Sequence, residues 1–404
     1  MVLLAHPGTQ YSHQLARQLA RHRSLYQFWT GFALAADGLA ARCVNVCAPA
    51  QWRKRIANRV LGGVPSHSLR TMPAVELKAL KRLRDGASPQ KAFHERNQTF
   101  QQKIPAASLR SATAVIGFDT SSWLLAERAA ELGKPYFLDQ SISHPLVNQE
   151  IMEGVARRFP DWREEIEVRL PVVLDCERRE YELATRIVAA STFSKQTLIS
   201  QGVPAEKINV NPYGVDLQLF HPPAAPRERN ARPFRFLFLG LLTARKGVPL
   251  LLEAWRRMGL KDAELWLAGP ATERARALVP ELPGLKYVGK YPHRDLPDLL
   301  RQCDALVFPS YCEGFALVLL EALASGMPII TTEATAGPDL IQDKVEGRLV
   351  QVGDTDALCE AMQTLAAAEP EQFERMSRAA RRRAEEFSWD AYGDRWQQLL
   401  GDYA

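Results

Sequence analysis

Short apolar runs alternate with amphipathic stretches along most of the chain. VLLAHP at 2–7 leads through a small loop into the helical pattern YSHQLARQLARH. TAVIGFD (113–119) leads into SSWLLAERAAELG, whose last glycine suits a helix C-cap. KPYFLD (134–139), RIVAAS (186–191) with TFSKQTLISQG behind it, and INVNPYG (208–214) continue the series. Apolar runs joined by helices predict βαβ units whose parallel strands are buried on both faces. The first half reads as one doubly wound α/β domain.

HPPAAPRERNARP at 221–233 breaks this rhythm with prolines and charge, the composition of a linker. A second series follows: FRFLFLG (234–240), a helix over 247–258, AELWLAG (263–269), LKYVG (285–289), DALVFPS (304–310) and PIITT (328–332). The tail RAARRRAEEFSWDAYGDRWQQLL has the pattern of an amphipathic helix. The expected fold is therefore α/β, two doubly wound Rossmann-like domains facing each other across a cleft. The expected boundaries are 1–217, 218–387, and 388–404 as a helix packing back on the first domain. Open parallel sheets bind ligands outside the carboxyl ends of their strands. Chemistry is to be sought in the loops that follow strands.

At 404 residues and 46% apolar content there is ample material for two cores. Met1 runs straight into a strand pattern without a basic n-region or cleavage site, so a signal peptide is not expected. The richest apolar stretch, YQFWTGFALAA at 26–36, falls short of the ~18 residues of a membrane span. Cys43 and Cys47 form a CxxxC without nearby histidines, which argues against zinc, and the scattered thiols fit a reducing cytoplasmic compartment. Charge is uneven. Residues 1–100 hold 15 Lys+Arg against 4 Asp+Glu, a balance of +11 in a chain of +5 overall. Arg53, Lys54, Arg55 and the 78–84 stretch supply much of it, with Trp52 and Leu83 interleaved. Such a face either solvates the domain or meets an anionic partner, such as a membrane surface or a phosphorylated acceptor. No nucleic-acid-binding motif is present.

The segment EGFALVLLEALASG (313–326) carries the clearest chemistry. Glu313 and Glu321 stand in an apolar run, where a carboxylate without a partner is costly. The strand ALVFPS ends just before them, and Gly314 is expected to permit a sharp entry into a helix beginning near Phe315–Ala316. The free N–H groups of Phe315, Ala316 and Leu317 would then form an anion site. Carboxylates beside an anion site suit a sugar joined to a phosphate, because carboxylates accept from vicinal hydroxyls. The other reading makes Glu313 a helix-end charge and leaves Glu321 exposed. GLLTARKG (240–247) also follows a strand and opens a helix. There Arg245 supplies a fork of donors and Lys246 a point charge.

These segments resemble the signature of the retaining GT-B glycosyltransferases of family 4 (glycosyltransferases group 1). The resemblance extends through LWLAGP, YVGKYPHRDLPDLL, GMPIITT, GPDLI and EGRLVQVGD, and takes in RIVAASTFSKQTL and NPYGVDLQLF. It covers roughly residues 180–400; the first 180 match only in outline. It implies that Glu313 bonds the hydroxyls of the donor sugar and that Glu321 holds the ribose. It implies that Lys246 contacts the diphosphate, with Arg245 beside it, since Leu241 stands where many members have arginine. Gly8 corresponds to a glycine that lets the backbone approach donor or acceptor. Val288 and Tyr291 fall in the loop that holds the base. The acceptor-side position, a histidine in many members, falls near Gln140, with His144 a few residues later and Asp119 another cleft candidate.

The activity implied is transfer of a sugar, a hexose first, from a nucleoside diphosphate sugar to an acceptor hydroxyl with retention. Acceptors would be glycans, glycolipids including lipopolysaccharide, or small molecules. No cofactor and no metal are expected, because the DxD of Asp354 and Asp356 precedes a helical stretch and reads as a helix cap. A disaccharide phosphorylase of the same fold and a catalytically silent binding subunit are the alternatives.

Overall fold

The computed structural model describes residues 1–9, 11–39, 41, 59–166, 168–223 and 232–403. Cys43, Cys47, Trp52, Arg53, Lys54, Arg55 and most of the proline-rich linker lie outside the described residues.

The first domain is built on a seven-stranded parallel sheet. Its strands are β1 (Val2–His6), β2 (Leu25–Thr30), β5 (Leu69–Thr71), β6 (Ala114–Phe118), β7 (Tyr136–Gln140), β8 (Arg186–Ala189) and β9 (Ile208–Val210), in the order β5-β2-β1-β6-β7-β8-β9. A small pair, β3 (Leu34–Ala35) and β4 (Val60–Leu61), lies outside it. The second domain has six parallel strands: β10 (Phe234–Leu239), β11 (Ala263–Ala268), β12 (Leu285–Gly289), β13 (Ala305–Phe308), β14 (Ile329–Thr332) and β15 (Gly347–Val350). Their order is β12-β11-β10-β13-β14-β15. Every residue of β1, β6, β7, β13 and β14 is buried, as expected of parallel strands covered by helices on both faces.

In each sheet the first strand is central and the order reverses beside it. The crevices at the carboxyl ends of β1/β6 and of β10/β13 are the two topological switch points, where ligands of open α/β sheets bind. GLLTARKG leaves β10 and the Glu313 segment leaves β13, so both flank one switch point.

The amphipathic tail is two helices and not one. Pro370–Glu385 belongs to the second domain, with Arg381 bonding the Phe220 and Ala324 carbonyls. Trp389–Gly401 lies on the first domain, where Gln18 Nε2 donates to Asp390 (3.1 Å) and the Tyr392 hydroxyl to Asp139 (3.0 Å). Between them the chain crosses back. Phe387 O accepts from Val215 N at 3.0 Å, and Ser388 caps the second helix through Ala391 N. Helical periodicity runs through this crossing, so hydrophobic pattern alone could not locate it. β2 and β5 also escape a reading by pattern: LYQFWT and LRT alternate too little to stand out.

Candidate active site

Gly240 and Gly247 bound the loop after β10. Gly247 has φ +75 and caps the helix Val248–Met258; a Cβ there would lie 2.0 Å from Pro309 O, so the loop packs backbone to backbone on the end of β13. This contact sets Lys246 and Arg245 against Glu313. Lys246 Nζ donates to Glu313 Oε1 at 2.8 Å, and Arg245 Nη1 approaches the same oxygen at 2.8 Å while also donating to Cys312 O at 2.6 Å. The Ser310 hydroxyl adds a bond to that oxygen at 3.2 Å.

Burial works to raise the Glu313 carboxyl, but Arg245 and Lys246 outweigh it and hold it below the usual glutamate value. For Lys246, burial is the larger influence and pulls the ammonium below its ordinary range, with Arg245 adding to it against Glu313. One carboxylate is thus shared by two cations. The cluster retains a surplus positive charge, and that is the electrostatic condition for receiving an anion.

The helix expected to begin near Phe315–Ala316 begins at Leu317 and runs to Ala324. Ala316 precedes it in the left-handed region, at φ 71. The helix's orphan donors are therefore the N–H groups of Leu317 and Val318, not that of Phe315. Gly314 is needed for a different reason from the one expected. Its φ is not positive; a Cβ would fall 1.8 Å from Ser141 O of the first domain. The hydroxyls of Ser191 (2.5 Å) and Ser194 (3.2 Å) donate to its carbonyl, so the domains meet at this glycine.

A cavity of about 400 Å³ opens over this corner, lined by Tyr11 and Ser141 from the first domain and by Lys246, Glu313, Leu317 and Glu321 from the second. Gly314, Phe315 and Ala316 line it too. Glu321 is buried in its wall, and His293 Nε2 lies 2.8 Å from its Oε1. That bond is the main cause of the raised pKa of His293. Tyr11 faces both glutamates; burial first and then their charges keep its phenol protonated. Its ring packs at a tilt against Tyr213, centroids 3.9 Å apart, and the Tyr213 ring also meets Phe315.

The remaining candidates are dispersed. Gly8 lies in the loop after β1, but its N–H is taken by His6 Nδ1 (3.0 Å) and Tyr11 makes the contact with the cavity. Asp119, buried at the end of β6, accepts from Ser141 N at 3.0 Å and so positions the segment facing Gly314. Gln140 Nε2 donates to Ile142 O (2.9 Å), with its own oxygen buried and unpartnered. His144 caps the helix Pro145–Arg158, held by Thr197 and packed with its ring tilted against Tyr181; burial lowers its pKa to about 4, so it is neutral. Neither Val288 nor Tyr291 lines the cavity; both pack against the second domain's core. Asp354 caps the helix Thr355–Ala366 through Ala357 N (2.9 Å), and Asp356 pairs with Arg257. Among the described residues no group of three or more His, Cys, Asp and Glu is placed to hold a metal ion. Nor is any described helix long and apolar enough to cross a membrane.

Sequence reasoning missed Tyr11 and His293. His293 had a signal, a histidine shortly after the strand LKYVG, but its reach to Glu321 depends on how β12 sits in the sheet.

Residues 233–368 match the family model described as "Glycosyl transferases group 1". The chain is 30% identical over 276 residues to an MMP α-(1→4)-mannosyltransferase of Mycolicibacterium hassiacum, covering 65% of this chain and 64% of that protein, less than two thirds of its length. The fold is that of a sucrose-phosphate synthase from Thermosynechococcus elongatus, at TM-score 0.66 and 20% identity over 99% of this chain and 98% of that one. The HepE protein of Anabaena, solved in complex with UDP and glucose, matches at TM-score 0.64 and 16% identity over 99% of both chains.

Proposed function

Since residues 233–368 form a glycosyl transferases group 1 domain within a GT-B architecture, we propose that the protein is a glycosyltransferase. It moves a hexose from a nucleoside diphosphate sugar to an acceptor hydroxyl with retention of configuration. The observation that carries this reading is the Glu313 carboxylate shared by Lys246 and Arg245 beside a helix N-terminus. The diphosphate takes up the surplus positive charge, near Lys246 and the Leu317 and Val318 N–H groups. Glu313 then turns from its cations toward the hydroxyls of the donor sugar, and Glu321 leaves His293 for the ribose. As the glycosidic bond breaks, negative charge grows on the leaving phosphate, where cations and N–H dipoles are already placed. The phosphate accepts the acceptor's proton as the acceptor attacks from the leaving-group face. These cations serve in place of a metal, so transfer should persist in excess EDTA; loss with EDTA and recovery with Mg²⁺ or Mn²⁺ would overturn that part.

The acceptor is a glycan, glycolipid or small polyol at a cytoplasmic surface. The helix Pro73–Arg84 supports membrane attachment: Leu77 and Leu80 are exposed on the same face as Lys81 and Arg84, at helical spacing.

A thermal-shift screen over UDP-, GDP- and ADP-sugars tests the core reading, because a ligand that binds only the native state raises its melting temperature. Stabilisation by one nucleotide sugar, followed by release of its nucleotide on turnover, is expected. No stabilisation by any of them, with phosphate-dependent cleavage of a disaccharide instead, would replace it with a phosphorylase.

A further inference from the structure

A second cavity, of about 350 Å³, lies between the domains and adjoins the first, with Ile142 and Leu241 lining both. On one side is the helix Pro145–Arg158, presenting Asn148 and Gln149; on the other is the loop after β10, with Thr243. Its charged lining residues are two arginines, Arg169 from the first domain and Arg245 from the second, and no carboxylate is among the described residues that line it. Since Arg245 Nη1 touches Glu313, this cavity stands one guanidinium away from the residue assigned to the donor sugar.

Arg169 is held in an unusual way. Its side chain is 27% exposed, and Nη2 lies 3.8 Å from Glu177 Oε1, too far for a hydrogen bond. Among the described residues it makes no hydrogen bond, although a guanidinium has five N–H donors. Behind it Glu177 is fully buried, and neither of its oxygens has a hydrogen-bond partner. Burial pushes the Glu177 carboxyl up to about 7, with Arg169 the opposing influence. Buried Asp119 is also raised by burial, opposed first by its bond from Ser141 and then by the charge of Arg169. Glu177, 3.8 Å away, therefore holds the guanidinium by charge while leaving its donors for whatever enters the cavity. Packing alone would not keep a carboxylate without hydrogen bonds in the interior, since such burial costs stability.

We propose that this cavity holds the acceptor and selects one bearing an anionic group, a carboxylate or a phosphate ester on a sugar or polyol, gripped by Arg169 with Arg245. The proposal rests on the glycosyltransferase reading for the word acceptor, but not for the anion site itself. A planar guanidinium with an open fork matches the two oxygens of either group, and a charge-assisted pair of this kind gives geometry as well as affinity. The amides of Asn148 and Gln149 and the hydroxyl of Thr243 are then available to the neutral hydroxyls. The acceptor's reacting hydroxyl points past Ile142 and Leu241 into the donor cavity.

Calorimetry with glucose, glucuronic acid and glucose 6-phosphate, each with and without saturating UDP or GDP, tests this. At least one anionic sugar should bind ten times tighter than glucose or better. A preference for glucuronic acid identifies a carboxylate ligand, and one for glucose 6-phosphate a phosphate ester. Arg169→Gln should weaken the favoured anion about tenfold to a hundredfold, the worth of one charged hydrogen-bonding partner, with glucose and nucleotide binding changed less than twofold. Arg169→Lys keeps the charge and loses the fork, and should lie between. Equal binding of all three sugars by the wild type would overturn the proposal. So would an undiminished preference for the anion in either variant, each melting as the wild type does. Failure of every nucleotide to bind would instead sink the glycosyltransferase reading, and the arms without nucleotide would still read the anion site.

Discussion

Replacing Lys246 with methionine separates the catalytic part of the charged cluster from its structural part. The side chain is 17% exposed; its ammonium sits 2.8 Å from Glu313 Oε1 and 4.9 Å from the centroid of the Phe308 ring. Methionine keeps the aliphatic stem over Gly240 and Phe308 and removes only the charge. Stripping one partner from a buried ion pair costs about 3–5 kcal/mol when the other is left alone. Here Glu313 is not left alone, since Arg245 remains at 2.8 Å and the Ser310 hydroxyl at 3.2 Å. The loss of stability should accordingly be about 1–2 kcal/mol, a melting shift of a few degrees in a chain of this size. Turnover should fall far more. Removing a preorganised group from the developing charge typically costs about 10²–10³ in kcat, or about 3–4 kcal/mol. The assay is nucleotide release at saturating donor and acceptor, with a circular dichroism melt on the same preparation. A folded variant with turnover within threefold of wild type would refute the assignment of Lys246 to the leaving phosphate. A melting drop beyond ten degrees would show that its charge is structural.

Three further outcomes follow from other parts of the molecule. Asp139 is buried and pushed up to about 8 by burial, so the folded state keeps its proton where the unfolded state has lost it, and stability falls as pH rises from about 4 to about 8. Asp139→Asn, which can still accept from Tyr392, should melt higher than wild type, with the gap widening across that range; a gap independent of pH would count against it. His293 is raised by its bond to Glu321, so that pairing contributes fully below the unfolded histidine value of 6.5 and fades as pH climbs past the folded one. His293→Gln should lose stability at pH 6 and little at pH 9, and a loss of equal size at both would exclude the linkage. Lys81→Glu with Arg84→Glu should abolish co-sedimentation with anionic vesicles at low salt, as each basic residue near such a surface contributes about 1 kcal/mol; equal binding to neutral vesicles by the wild type would remove the membrane from the account.

Hydrophobic pattern determined much of this protein without help from the tertiary structure. Runs such as AVIGF, YFLDQ and ALVF are buried on both faces, and only a parallel sheet under two helical layers buries such runs completely. The loops after β10 and β13 were legible for the same reason: strands followed by ARKG and by EGFA place charge where open sheets bind ligands. Local sequence did not reach what depends on contact across the chain. Gly314 is required by the approach of Ser141, which lies 173 residues earlier, and nothing in its own neighbourhood records that. Tyr11 and His293 join the two glutamates only because the sheet order brings their loops to the same corner. The break at Ser388 is invisible to a periodicity that both helices share, and is decided by Val215 bonding Phe387 where the chain returns to the first domain. Arg169 and Glu177 are an unremarkable basic residue and an unremarkable acidic one in the sequence. Folding buries the acid without a hydrogen bond and leaves the guanidinium facing a cavity, because desolvation belongs to the packed structure and not to the residue.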